Sequence, residues 1–349
     1  MSLRLGVLDQ SPVRGGTTPA QAIAETVDLA KLVDKLGYSR YWVAEHHAAT
    51  AFAGPAPEIL VGKLAEVTRH IRVGSGGVML MHYSPFKVAE QFRMLETLYP
   101  GRIDLGIGRA PGTDGQGILA LGSTAAAQNI ERTFPYNLDL LVRYLEDAGG
   151  DPEGGIPDDH PLHGVKAMPT GATFPEVWIL GSGLHSAVYA ATLGQGFCHA
   201  HFFNPQGGSE VAEVYRSRFE PSPRLTAPRL ALAVSAIVAD TQEEAERLTL
   251  VPALWALRAM HKREYGPPFT TFEEAENYPY TDEDRALLRT LRARGNNGTP
   301  DVVKSKLERI AAEFGAEELM IVTITHDHNA RRRSYELLAK AFGLKPPVT

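Results

Sequence analysis

The 349-residue chain lacks several features that would assign it to common protein classes. Its one cysteine, Cys198, excludes an internal disulfide framework and any multi-cysteine zinc or iron-sulfur site, and it favours a reducing compartment. The formal net charge is -6, so nucleic acid is not an expected partner. No apolar run approaches the roughly 20 residues that span a bilayer, and the N-terminus has no secretory signal pattern. We therefore expect a cytoplasmic protein without a membrane partner.

The chain does contain a regular alternation of short β-rich runs and longer amphipathic stretches. Parallel strands need helical crossovers between them, so this rhythm predicts an α/β fold. Eight runs are typical of strands, and eight strands close a (β/α)8 TIM barrel. The predicted strands are 3–9, 40–44, 71–80, 103–107, 177–180, 197–200, 230–239 and 319–325.

Helix signals fall between these strands. A helix beginning at Thr18-Pro19 ends at Gly37, and further helices are predicted over 57–70, 85–99 and about 128–147. On the second helix, the side chains expected to face the core are those of Ile59, Leu60, Leu64 and Val67.

Two segments interrupt the rhythm without suggesting a domain boundary. Residues 150–175 are rich in Gly, Pro and Asp and are interpreted as an ordered excursion. Residues 252–298 fall between the seventh strand and the helix that begins after Thr299-Pro300, which predicts an insertion over one mouth of the barrel. The whole chain, 1–349, is predicted to be a single domain.

Catalytic groups of such barrels come from the C-terminal ends of the strands. The second predicted strand ends in Glu45-His46-His47, and a histidine there can titrate near neutral pH and exchange protons with a substrate. The alternative is that both histidines are structural residues of the rim. His199 and His201 lie at the end of the sixth strand, but the sequence assigns neither a role.

A phosphate site is predicted after the fourth and fifth strands. Arg109 can bind a phosphate with two hydrogen bonds. Ser182 and Gly183 form a turn before a helix, and Ser186 lies in the first turn of that helix, where the N-terminal N-H groups attract anions. A simple strand-to-helix turn is the alternative for the second feature. Gly76 and Gly77 interrupt the third strand, so that a flat ring could lie against bare backbone.

Five motifs occur in order along the chain: 41–47 (YWVAEHH), 73–77 (VGSGG), 85–98 with Ala89-Glu90-Gln91, 100–109 (PGRIDLGIGR) and 298–300 (GTP). With these motifs the chain resembles, over nearly its whole length, the bacterial luciferase-like, flavin-dependent monooxygenases, in their non-luminescent subgroup. The resemblance implies a TIM barrel with an insertion after the seventh strand, and reduced FMN supplied by a separate flavin reductase.

The resemblance also assigns residues. His46 matches the catalytic histidine, Gly76 and Gly77 match the pair that contacts the flavin ring, often through a cis peptide, and the phosphate-binding positions are Arg109, Ser182, Gly183 and Ser186. Gly108 departs from the luciferases, which have a reactive cysteine there, so light emission is not expected. No metal site is implied.

The resulting hypothesis is a monooxygenase that uses reduced FMN and O2 on an unknown small organic substrate. The alternatives are a deazaflavin-dependent oxidoreductase that transfers hydride, a flavin-binding protein without catalysis, and a metal-dependent hydrolase that would use Asp9, Glu45 and the four histidines. A homodimer is expected through the second and third helices, which carry the small residues Gly62, Ala65 and Ala89.

Overall fold

The computed structural model describes residues 3–148, 155–171, 173–203, 208–261 and 268–346. The strands in these ranges are β1 Arg4–Asp9, β2 Arg40–Val43, β3 Arg72–Met79, β4 Ile103–Gly108, β5 Glu176–Gly181, β6 Gly196–His199, β7 Leu230–Val238, β8 Asn296–Gly298 and β9 Glu318–Val322.

Helices fill most of the sequence between the strands. They are α1 Pro19–Leu36, α2 Pro57–Val67, α3 Pro85–Leu98, α4 Gly115–Ala120, α5 Thr124–Gln128, α6 Ile130–Ala148, α7 Leu184–Thr192, α8 Gly208–Ser217, α9 Gln242–Leu248, α10 Leu250–Ala256, α11 Phe272–Glu276, α12 Asp282–Arg294, α13 Pro300–Phe314 and α14 His328–Phe342, with a 3-10 turn at Leu80–His82 and a π turn at Leu257–His261. None of the helices in the described ranges is long and apolar enough to cross a membrane.

Parallel pairing closes eight of these strands into a barrel. Each of β1 to β6 pairs with the next strand along the chain, β7 pairs with β9, and β9 returns to β1. The short β8 only extends the end of β7, where Ala236 to Val238 face Asn296 to Gly298. The predicted TIM barrel is confirmed, and its eight strands are those predicted from the sequence.

Local sequence signals set the helix ends. Thr18 and Gln21 form a reciprocal capping box at the start of α1, and Gly37 ends the helix in the left-handed conformation. The prediction that Ile59 of α2 faces the core is wrong. Its side chain is 73% exposed, because α2 buries Leu60, Val61 and Leu64 instead. The apolar run at this point is wider than the buried face of the helix.

The insertion covers the C-terminal mouth of the barrel, as predicted. Its α10 to α12 region shares an apolar cluster with Ala51 and Phe52, which follow β2, and with Ile324, which follows β9. The Phe269 N-H also donates to the Val13 carbonyl after β1, at 3.0 Å. Because all these partners follow strand C-termini, the insertion lies above the mouth and beside the loops that shape it.

The predicted excursion at 150–175 falls partly outside the described residues. Its described parts are 155–171, which contains turns and bends, and 173–175, which leads into β5. The buried Arg93 of α3 ties this segment to the barrel, since its guanidinium donates to the carbonyl oxygens of Pro169, Gly171 and Thr173.

A buried cluster of charges fills the N-terminal half of the barrel. Arg40 donates to Asp104 at 2.5 Å and to Glu318 at 2.9 Å, and Arg72 donates to Asp104 at 2.7 Å. Glu176 and Arg229 extend the cluster with a 2.8 Å pair. At its exposed edge, Arg4 pairs with Glu317 and Glu318, each at 3.6 Å. With this edge included, four guanidinium groups balance four carboxylates.

A layer of large side chains lies above the charges. Trp42 and Trp178 pack edge to face with ring centres 5.5 Å apart, and the Trp42 indole donates to Asp104 at 2.8 Å. Burial alone would raise the pKa of Asp104, but Arg40 and Arg72 lower it below its ordinary value. The charge cluster and the two tryptophans together fill the centre of the lower lumen. A cavity of about 220 Å³ remains beside them, lined by Glu176, Trp178 and Arg229.

Replacing Asp104 by Asn should destabilise the protein strongly. The change keeps the side-chain shape but leaves the buried guanidinium groups with one carboxylate too few, which costs about 3 to 5 kcal/mol of unfolding free energy. Urea denaturation followed by circular dichroism measures this loss. The matched control is Asp240→Asn, which removes the exposed Arg333 pair and should leave the midpoint almost unchanged. Equal effects of the two substitutions would contradict this account of the barrel.

Candidate active site

A cavity of about 320 Å³ opens at the C-terminal mouth of the barrel. Three adjacent strands supply its polar wall, because β4 pairs with β3 on one side and with β5 on the other. The structure brings together in this wall all six residues predicted to bind the cofactor, which are Gly76, Gly77, Arg109, Ser182, Gly183 and Ser186.

Bare backbone forms the wall contributed by β3. The peptide between Gly76 and Gly77 is cis, and the pairing register with β4 shifts between Ser75 and Val78. A Cβ atom on Gly77 would lie 2.8 Å from the Gly106 carbonyl oxygen, and one on Gly76 would lie 2.6 Å from the Leu8 side chain. Only glycine fits this close packing, so the strand presents a flat surface to the cavity.

Arg109 lies where β4 ends, directly beside the turn that follows β5. The register pairs Gly108 with Leu180, so Arg109 and Ser182 follow their strands at about the same height along the barrel axis. The Arg109 guanidinium donates one hydrogen bond to the exposed carboxylate of Glu131, at 2.9 Å. A guanidinium carries five N-H donors, so further donors remain for an anion in the cavity.

The N-terminus of α7 supplies backbone N-H donors on the side of the cavity formed by the turn after β5. Its N-cap residue is Gly183, and no side chain of the described residues caps the first turn. Ser186 is buried in that turn and lines the cavity, whereas a Cβ atom on Gly183 would meet open space. The N-H groups of the first turn are therefore available to an anion.

His46 is not one of the residues that line this cavity, although the neighbouring Glu45 accepts a hydrogen bond from the N-H of the lining residue Met79. The backbone N-H of His46 donates to the Gly54 carbonyl at 3.0 Å, and the His46 ring stacks on Phe52 with centres 4.4 Å apart. Its Nδ1 atom is buried without a hydrogen-bond partner in the described part of the chain. Burial, with a smaller effect of His47, lowers the pKa of His46 to about 4, so the imidazole is neutral at pH 7.

The neighbouring Glu45 holds the end of β3 in place. Its carboxylate accepts hydrogen bonds from the Met79 N-H at 3.2 Å and from the Tyr83 hydroxyl at 2.8 Å, and it pairs with His47 Nε2 at 2.7 Å. Burial raises the pKa of Glu45, although these three partners oppose the shift. Glu45 and His47 are thus hydrogen-bonded within the wall of the mouth, whereas the Nδ1 atom of His46 has no hydrogen-bond partner among the described residues.

The residues suggested for a metal-dependent hydrolase do not converge. Asp9 is fully buried and paired with Arg331, and it also accepts hydrogen bonds from Ser11 and Tyr41. His199 stacks on Phe314 of α13, on the opposite face of β6 from Cys198, which lines the cavity. Over the described ranges, no group of three or more His, Cys, Asp or Glu side chains is arranged to hold a metal ion.

His201 also packs on Phe314, with ring centres 5.4 Å apart. Burial lowers its pKa, and Glu313 opposes the shift. Both histidines at the end of β6 therefore pack against the outer helix α13.

Sequence reasoning missed the apolar lining of the cavity. Alternation along β1 and β6 could have indicated Leu8 and Cys198, since neighbouring side chains of a barrel strand face opposite sides. The apolar lining residues missed are Leu8, Met79, Ala110, Leu180, Cys198, Ala200, Phe202, Phe203 and Ala233.

Gly108 is buried at the cavity edge, where the luciferases have their cysteine. A Cβ atom at this position would lie 3.1 Å from the Met79 sulfur. Met79 thus occupies part of the space that a larger side chain would need.

The fold and this mouth define a class of enzyme. The luciferase-like monooxygenase family matches residues 3–318, so the chain belongs to that family. It is 41% identical to the Bacillus subtilis (strain 168) protein YceB over 340 residues, covering 97% of this chain and 99% of YceB. It is 35% identical to the N-acetyl-S-alkylcysteine monooxygenase of the same organism, covering 97% of this chain and 98% of that protein.

Solved structures agree with this membership. Apo-MsnO8 is 38% identical and superimposes with a TM-score of 0.86, covering 99% of both chains. Two more distant structures share the fold. The oxygenating constituent of 3,6-diketocamphane monooxygenase from Pseudomonas putida, in complex with FMN, is 20% identical and has a TM-score of 0.71 over the full length of both chains. An F420-dependent secondary alcohol dehydrogenase is 15% identical and has a TM-score of 0.66, covering 98% of this chain and 99% of that chain.

The protonation of His46 can be followed directly. Its pKa in the folded protein lies below the ordinary value of 6.5, so the neutral ring stabilises the fold above pH 6.5 and this contribution falls as the pH drops towards 4. In an NMR titration of the histidine rings, we expect the His46 signals to stay in the neutral form down to about pH 5 and to shift near pH 4. The spectrum of His46→Gln identifies the signals, and a midpoint near 6.5 would refute the desolvated environment.

Proposed function

We propose that this protein is a cytoplasmic flavin-dependent monooxygenase that uses reduced FMN and O2 to oxygenate a small organic substrate. The observation that carries the proposal is the convergence of Gly76, Gly77, Arg109 and the turn from Ser182 to Ser186 on one cavity at the mouth of the barrel. Membership of the luciferase-like monooxygenases supports oxygen chemistry at this cavity.

The residues present fit FMN. Arg109, Ser182 and the uncapped first turn of α7 offer cationic, hydroxyl and N-H donors to a phosphate. The flat backbone at Gly76 and Gly77 faces apolar residues such as Leu180 and Ala233, which suits an aromatic ring system. The FMN complex of the diketocamphane enzyme and the F420 complex of the alcohol dehydrogenase show that this fold accepts both kinds of flavin.

His46 is proposed as the catalytic residue that handles a proton beside the flavin. Its ring is neutral at pH 7, and its Nδ1 atom is uncommitted among the described residues, so this nitrogen can accept or donate a proton according to the tautomer. When bound, reduced FMN supplies the two electrons that activate oxygen. Overall, substrate, O2 and reduced FMN yield oxygenated substrate, water and oxidised FMN, and a separate flavin reductase regenerates the cofactor.

The remaining task of the protein is to keep water from the reacting groups. The insertion over the mouth packs Trp255 and Phe269 against Phe52, on which His46 stacks. These aromatic contacts join the cover of the mouth to the proposed catalytic residue. A dry site strengthens every electrostatic interaction within it.

Isotope incorporation tests the proposed function. Purified protein is incubated under oxygen-18 gas with FMN, a flavin reductase with NADH, and a panel of small thioethers and ketones that includes N-acetyl-S-benzylcysteine. We expect one atom of oxygen-18 in a product detected by mass spectrometry. Catalase is added so that leaked peroxide cannot oxidise the panel.

The matched variant is Arg109→Gln, which should raise the dissociation constant of FMN about tenfold and require correspondingly more flavin for the same rate. Preferential binding of F420 with hydride transfer and no labelled product would replace the proposal by the deazaflavin alternative. Flavin binding without oxygen consumption above the uncatalysed rate would indicate a flavin-binding protein without catalysis.

We also propose a homodimer formed through α2 and α3. Ala65 and Ala89, two of the small residues expected at this interface, are buried within the chain and cannot contact a partner, so that part of the expectation was wrong. The same helices instead expose Ile59, Met94 and Leu98, which are 73%, 52% and 60% exposed. Large apolar side chains exposed on neighbouring helices are typical of protein interfaces.

A charge introduced on this face should separate the proposed dimer. We expect Met94→Glu to sediment as a monomer at concentrations where the wild type sediments as a dimer, because the carboxylate would be desolvated at the interface. Leu119→Glu is the control, since Leu119 of α4 is 71% exposed on a different surface. A wild type that sediments as a monomer at every concentration would rule out this arrangement.

A further inference from the structure

A second cavity, of about 230 Å³, lies below the insertion. Its walls are mainly apolar and include Ile237, Trp255, Phe269 and Ile324. Phe202 lines both this cavity and the proposed flavin cavity, so only one side chain layer separates them here. The second cavity is therefore placed to hold a small molecule next to the flavin.

One cationic group, Arg292 of α12, lines the second cavity. Its Nε atom donates to the Thr249 hydroxyl at 2.8 Å, and its Nη2 atom donates to the Glu246 carbonyl at 2.7 Å. Both acceptors are uncharged. Across the described ranges, no carboxylate lies within 4.0 Å of the Arg292 nitrogens, so its charge is not balanced by an ion pair.

The two hydrogen bonds fix which edge of the guanidinium is available. They occupy Nε and one Nη2 proton, on the side edge, and they leave the end-on edge, formed by Nη1 and the second Nη2 proton, without a partner in the described ranges. The Thr249 hydroxyl donates its own proton to the Glu246 carbonyl at 2.6 Å, which makes it an acceptor for Arg292. The guanidinium is thus held in a fixed orientation with two parallel donors free, which matches the two oxygens of a carboxylate.

We propose that the second cavity is the substrate pocket and that it selects a small organic carboxylate with an apolar body. The carboxylate pairs with the end-on edge of Arg292, and the apolar part extends between Trp255 and Ile324 towards Phe202. This proposal rests on the proposed function, because it places the reacting atom beside the flavin. Glu246 is exposed, so Arg292 lies near solvent, where a charged end group keeps part of its hydration.

Binding measurements separate this role from a structural one. Isothermal titration calorimetry is performed with the FMN-loaded protein and two matched pairs of probes, N-acetyl-S-benzylcysteine with its primary amide and 4-phenylbutanoate with its amide. For at least one pair, we expect the wild type to bind the carboxylate more tightly. Arg292→Gln should raise the dissociation constant of that carboxylate roughly ten- to hundredfold and leave that of the amide within about threefold.

Two further variants control for charge and folding. Arg292→Lys keeps the positive charge and should retain part of the carboxylate preference. Arg289→Gln removes an exposed arginine from the same helix and should leave both constants unchanged. An arginine that only joins α12 to Thr249 and Glu246 would lower the melting temperature when replaced, without changing the ratio of carboxylate to amide affinity.

The outcomes distinguish this inference from the proposed function. If FMN binds but neither pair shows a carboxylate preference, or if the preference survives in Arg292→Gln, the inference is wrong and the flavin assignment stands. If the protein binds no flavin, the proposed function fails first. A preference that disappears in Arg292→Gln and persists in part in Arg292→Lys supports the inference.

Discussion

The buried pairing of Arg40 with Asp104 and Glu318 is the interaction on which the rest of the structure depends. It joins β2, β4 and β9 across the lumen, and Arg72 brings in β3. Where water is excluded, separating a carboxylate from a guanidinium costs much free energy. The strands that carry these groups are therefore held in one register. With the centre of the lower lumen filled by these charges, the cavity that contains the candidate site opens at the upper end.

The order of the strands could be predicted from the sequence because it depends on short-range signals. Thr18, Gly37 and Pro85 mark helix ends by their own geometry, and the strands are continuous apolar runs. The side chains of a helix that face the core were harder to predict where the helix is apolar on more than one side. Ile59 was assigned to the core because its neighbours are apolar, but the angle at which α2 lies on the barrel is set by packing with other elements.

The candidate site shows the same division. Gly76, Gly77 and Arg109 could be identified because their residue types are unusual at strand ends. Phe202 and Arg292 could not, since their importance arises from segments about 90 residues apart that meet over the mouth. The sequence assigned His199 no role for a related reason: one step along β6 reverses the face to which a side chain points, and the sequence does not show which face is turned to the cavity.

Arg93 holds the backbone at Pro169, Gly171 and Thr173 through their carbonyl oxygens. Every amino acid offers the same carbonyl, so the grip does not depend on which side chains the segment carries. Such an anchor lets this stretch change its sequence over evolutionary time and still return to the same place on the barrel. The segment is thus free to vary in composition, whereas the arginine that holds it is not.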